Sequence, residues 1–268
     1  MTNTMISIGD EEKAPVMLDT KDVADILRTH APEFYAESRR TFYGEVNLHP
    51  FKKHSRHTLD FVEWMFWDWL ALDQRIGLSG PDEGRLGISQ YDDGISPYLA
   101  FARVLHNDGR ISDRQFGDMR ETDETNFTSV FWIRSASAVR GTMRLEDAMN
   151  GGEYIVSTPD KSAEYDGARG GMIVTRIARV RGSWRPCAIP VYEARRPDSP
   201  QTRLAVIDAF GSYRTDFPGL VRFFYGRAKD TGLDWEDAEA LLHGRTPSAR
   251  SLRRSIRNAG TASFPAMP

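Results

Sequence analysis

The sequence predicts an α+β protein: a helical N-terminal part, a small curved antiparallel β-sheet or half-open barrel in the middle, and a helical C-terminal part. Three observations carry this. Over 58–72, Phe61, Val62, Met65, Phe66, Trp69 and Leu72 recur at three- and four-residue steps, the spacing of one helix face. From Asn126 onward the pattern changes to short runs of β-branched and aromatic residues separated by turn residues. After 197–200, a stretch with two prolines, helical spacing returns.

Taken in order, 1–18 reads as a mobile arm or an edge strand, and 19–125 as a mainly helical region. Thr20 is placed to cap a first helix, because its hydroxyl can satisfy a free first-turn amide. Pro32 suits the first turn of a second helix, which is expected to run to about Tyr43 and stop at Gly44. The five glycines and Pro81 of 77–94 read as loop. Ser96-Pro97 then opens a further helix, as an N-cap followed by proline at the first helical position.

The β module is bounded at 126–196. Strands are expected over 130–139, 143–147, 153–158, 172–180 and 184–192, with turns at Asn150-Gly151 and at Arg181-Gly182-Ser183. The polar stretch 160–171 reads as a loop. Beyond it lie a helical region, 197–244, and a basic tail, 245–268, that has the spacing of a closing helix. In that tail Arg250, Arg253, Arg254 and Arg257 form one stripe if helical.

Composition narrows the function classes. Hydrophobic residues make up 40% and charged residues 27%, enough for a sizeable core. The net charge of −3 argues against adhesion of the whole molecule to nucleic acid or an anionic membrane. No apolar stretch is long enough to span a bilayer, and the acidic start has no signal-peptide pattern, so a cytoplasmic location and no membrane partner are expected. Cys187 is the single cysteine, which excludes an internal disulfide and a cysteine-based zinc site, and it reads as a small buried hydrophobe.

Chemistry-bearing patterns are sparse, and the sequence calls for no catalytic residue, metal or cofactor. His49, His54 and His57 stand beside Lys52, Lys53 and Arg56, whose charges repel a metal ion. Asp82, Glu83, Asp92 and Asp93 gather carboxylates in 77–94 without the spacing of a calcium loop. The strongest lead is on the second hairpin, where Arg176, Arg179, Arg181 and Arg185 crowd around Trp184. Arginines beside an aromatic platform fit single-stranded nucleic acid, and the alternative is that they pair with helix carboxylates.

The order of motifs is also familiar. Gly94-Ile95-Ser96-Pro97 follows the aromatic helix, and Leu145-Glu146-Asp147 comes later. Gly152-Glu153-Tyr154-Ile155-Val156 then precedes Gly171-Met172-Ile173-Val174-Thr175-Arg176-Ile177. Over roughly 58–192 this resembles the region preceding the zinc-binding tail in uncharacterised bacterial proteins that carry the SEC-C motif. The resemblance implies a shared β module. The cysteine–histidine tail is absent, so zinc binding is not implied.

The expectation is therefore a non-enzymatic binding or interaction module, with nucleic acid or an acidic protein as partner. The alternatives are a hydrolase or transferase using the carboxylates of 77–94, and a structural or oligomerisation protein.

Overall fold

The computed structural model describes residues 14–48, 54–82, 85–90, 94–194, 199–211 and 216–226. Three helices come first: α1 (Thr20–His30), α2 (Pro32–Val46) and α3 (Arg56–Leu72). The hairpin β1 (Ile76–Asp82) and β2 (Arg85–Gln90) follows, then α4 (Pro97–Asn107) and α5 (Asp113–Thr125). The β module contains β3 (Phe127–Ser137), β4 (Thr142–Asp147), β5 (Glu153–Ser157), α6 (Pro159–Glu164), β6 (Met172–Val180), β7 (Ser183–Pro186) and β8 (Tyr192–Ala194). It leads into α7 (Pro200–Gly211) and α8 (Phe217–Tyr225). The α+β reading holds, and the middle part closes further than a half-open sheet.

Five strands close on themselves in the order β3-β4-β5-β7-β6, and β6 pairs back onto β3. All pairings are antiparallel except β5 with β7, which meet at Val156 and Trp184. β8 continues along the β6 edge beyond β7. Strand alternation sorts the side chains of β3 and β6. Phe131, Ile133, Ile173 and Ile177 point into the barrel with Met143, Leu145 and Val156. Val130, Trp132, Met172 and Val174 point outward, into a core shared with α1–α5 and α8. Tyr165, just after α6, packs into the barrel core. Each such apolar side chain stabilises the fold by roughly 1.5–3 kcal/mol when fully buried.

Several boundaries differ from the sequence reading for local reasons. The cap of α1 is Asp19, whose carboxylate accepts from the Lys21 amide, while the Thr20 hydroxyl turns away to donate to Asp68. α2 runs through Gly44 to Val46, because Phe42 and Val46 are both buried, and it ends at Asn47 with φ 50°. The 77–94 stretch forms the β1–β2 hairpin rather than a loop throughout. In the 147–153 turn, Asp147 accepts from the Met149 and Asn150 amides, and the positive-φ positions fall on Gly151 and Gly152. The supposed loop 160–171 contains α6. The strand expected over 184–192 divides into β7 and β8.

The 14–18 segment is anchored: Val16 donates its amide to Asp118, and Leu18 to the Tyr98 hydroxyl. Among the described residues no helix is long and apolar enough to cross a membrane. The tail arginines, the part of the expected helical region beyond 226, His49, Glu83, Asp92 and Asp93 lie outside the described residues.

Candidate functional site

The five residues singled out on the second hairpin do not share a surface. Arg176 lies on the outward side of β6, but that side faces the helices, and the residue is 2% exposed. Its Nη2 donates to Asp73 and its Nη1 to Asn126 Oδ1, while the guanidinium sits 5.0 Å from the Phe217 ring centre. Arg181 occupies the tight turn with φ 50° and donates from Nε and Nη2 to both oxygens of Asp118, each at 2.6 Å. Its backbone amide donates to Glu121.

Arg179 is exposed, and its backbone is held at both ends by the Thr125 hydroxyl. Trp184 packs edge-on against Phe127 and Tyr154 beside the barrel core, and Arg185 is half-buried. The expected arginine–tryptophan platform is therefore replaced. Two of its arginines bind helix carboxylates, and its aromatic ring is in the barrel packing.

Arg176 instead forms part of the wall of a cavity of about 480 Å³ where the helices meet the barrel. Each element contributes a terminus or an edge. α3 supplies Trp69 from its last turn and Asp73 as its C-cap. Asn126 caps the C-terminal end of α5, and its Nδ2 donates to the Thr122 and Asp123 carbonyls. That pins the amide so that its oxygen receives Arg176.

Phe127 and Thr128 open β3, Glu45 comes from the last turn of α2, and Asp216, Phe217 and Pro218 begin α8. Asp216 is the N-cap of α8, accepting from the Gly219 amide at 3.0 Å. Neither Arg176 Nε nor Thr128 Oγ1 has a hydrogen-bond partner, although both atoms are buried.

Behind Arg176 lies a second buried group. Asp68 accepts from the Thr20 hydroxyl at 2.7 Å through Oδ1, while Oδ2 has no partner. Burial pushes the Asp68 carboxyl up to about 7. Thr20 and Arg176 pull it down, and Asp73 adds to the rise. Burial works against the charge on Arg176, but Asp73, with Cys187 and Asp68, more than offsets it and leaves its pKa above the ordinary value. The Cys187 thiol is pushed up to about 12 by burial, against the opposing pull of Arg176.

The cavity thus offers three carboxylates, one buried guanidinium, an amide, a hydroxyl and the rings of Trp69, Phe127 and Phe217. Among the described residues lining it, no nucleophile is paired with a general base. Comparison with protein-family models, with curated proteins and with solved structures gives no match, so the cavity is read from its own chemistry.

The sequence carried a signal for part of this site. Asp216-Phe217-Pro218 is a cap followed by proline inside the first helical turn. Asp73 closes the aromatic helix. Nothing in the sequence shows that these two residues meet Arg176.

Proposed function

We propose that the protein is a non-enzymatic binding protein that holds a small polar ligand in the cleft between its helices and its barrel. The observation that carries this reading is the cleft itself, where polar residues, among them Arg176, Asp73, Asn126 and Thr128, stand beside the rings of Trp69, Phe127 and Phe217. The cavity volume also falls within the usual span for small-molecule sites.

Saturation-transfer NMR with mixtures of amines, sugars and small carboxylic acids tests the reading. Thr128→Phe narrows the recess from its wall. The expected result is a binder whose signal is lost in Thr128→Phe. A set in which nothing binds at millimolar concentration, or in which binding ignores that substitution, overturns the reading.

A second reading, single-stranded nucleic acid on the barrel, is favoured by one observation, the strand connectivity. Numbered within the barrel, the strands run first-second-third-fifth-fourth, with third and fifth parallel. This is the connectivity of the OB barrel, which binds oligonucleotides and oligosaccharides on its second and third strands. Here those strands are β4 and β5, with Arg144, Glu146, Glu153 and Ile155 outward. The reading rests on fold-level analogy. Fluorescence anisotropy with single-stranded DNA and RNA at low salt tests it. Binding lost in Arg144→Glu supports it, and no binding at low salt removes it.

A further inference from the structure

We propose that Asp68 is a proton-operated latch: protonated, it holds the 14–19 segment and α1 against α3, and its ionisation favours their release as one opening unit. The device does not depend on the cleft being a ligand site.

The 14–19 segment and the first turn of α1 are tied to three helices by one polar contact each. The Val16 amide donates to Asp118 on α5, the Leu18 amide to the Tyr98 hydroxyl on α4, and the Thr20 hydroxyl to Asp68 on α3. Apolar attachment is thin. Val16 and Leu18 are partly buried, and α1 buries three of its eleven residues, Val23, Ala24 and Leu27.

Of the three anchors, Asp68 is the one whose charge lacks a dedicated partner. Asp118 is held by both nitrogens of the Arg181 fork, and burial pushes the Tyr98 hydroxyl above its ordinary value, so it stays neutral. Asp68 is 4% exposed, with Thr20 on Oδ1 and no partner on Oδ2. Arg176 of β6 acts on it, but is itself paired with Asp73. Cys187 stands on the other side, uncharged because burial pushes its thiol up to about 12. The charges of α1 lie away from Asp68, with Lys21 and Arg28 both paired to Asp25. A carboxylate so placed is easier to bury neutral than charged. Burial accordingly pushes the Asp68 carboxyl up to about 7, against the pull of Thr20, Arg176 and the Ile189 backbone.

Opening returns Asp68 to water and to an ordinary value of 3.8. The closed form therefore binds the proton more tightly. Closure is strongest below about pH 4, weakens as pH rises toward 7, and then levels off. The side that yields is α1, because β6 is hydrogen-bonded along both edges to β3, β7 and β8.

The test is hydrogen–deuterium exchange mass spectrometry on the full chain from pH 4.5 to 9, with intrinsic exchange rates divided out. Peptides covering 16–27 should exchange ahead of those from β3 and β6, and their protection should fall on the order of a hundredfold between pH 4.5 and 7.5. In Asp68→Asn it should stay level within about threefold. Thr20→Val keeps the carboxyl and removes a donor that eases its ionisation, so its protection should go on falling beyond the pH at which wild type levels off. Exchange of 16–27 in step with β3 and β6 means that no separate unit opens, and overturns the proposal. Level protection in wild type, or a fall that persists in Asp68→Asn, takes the proton away from Asp68 and overturns it too. So does a Thr20→Val profile that levels off where wild type does, a result that decides the matter even where Asp68→Asn does not fold.

Discussion

Replacing Asp68 by Asn should change how stability depends on pH. Asp68 is 4% exposed, and its carboxyl is held up to about 7 against an ordinary 3.8. The folded protein therefore holds this proton more tightly than the unfolded chain. Its contribution is fully present below about pH 4 and is lost as pH rises toward 7, after which the curve flattens. The separation of the two pKa values corresponds to about 4 kcal/mol for carrying the charge into the site.

Asn keeps the oxygen that accepts from Thr20 and cannot ionise. Its amide NH2 stands where Oδ2 already lacks a partner, a cost of about 1–3 kcal/mol that does not vary with pH. Urea unfolding of both proteins in steps from pH 4 to pH 8 isolates the effect, because every other titrating group is common to the two. The advantage of Asp68→Asn over wild type should grow by about 4 kcal/mol across that range. A difference that stays flat means Asp68 ionises like an exposed carboxylate, and the account of the buried cluster is then wrong.

Asp118→Ala should cost about 3 kcal/mol in urea unfolding, because it strands Arg181 and the Val16 amide; a loss below about 1 kcal/mol would mean that the bidentate pair contributes little. Gly94→Ala should destabilise by about 1–3 kcal/mol, since a Cβ there overlaps the backbone carbonyl of Ile76, whose strand bridges to Ile95; an unchanged Tm would show that the backbone yields there. Cys187 should resist iodoacetamide at pH 8 in the folded protein and react on unfolding, because its thiol, pushed up to about 12, holds almost no thiolate; modification at the same rate in both states contradicts that.

Helices were legible where a single face repeats. The stripe of Val62, Met65, Phe66 and Trp69 is buried as its spacing requires, while Trp64 and Leu59 remain partly exposed on the flank. The strands of the β module were legible by the same logic with a period of two. Termini were less so, because tertiary contacts decide them: the burial of Phe42 and Val46 carries α2 through Gly44. Alternation put Arg176 on the opposite face of its strand from Arg179, and the structure agrees. What alternation does not contain is that β6 has both faces covered, one by the barrel interior and one by the helices. An arginine that reads as solvent-facing is then buried. The cleft was illegible for the same reason. Its lining comes from α2, α3, α8, β6 and the α5–β3 junction, segments that only the closed fold brings together.

Arg176 links the two halves of the site, and that link has a measurable consequence. A buried ion pair is a poor stability device, since well-packed apolar residues often do as well, and this one leaves Nε unsatisfied. Such a group at a cavity wall is where function is expected to offset lost stability. The Arg176 guanidinium stands between Asp73, on the cleft, and Asp68 with Cys187 behind it. Asp73 raises the Asp68 carboxyl and Arg176 lowers it, so Asp73→Asn, which removes the one and frees the other, should bring the Asp68 carboxyl down and move the loss of stability to lower pH. Urea unfolding of Asp73→Asn and wild type in steps from pH 4 to pH 8 reads that shift. A profile that keeps the wild-type midpoint would break the link between the buried cluster and the cleft.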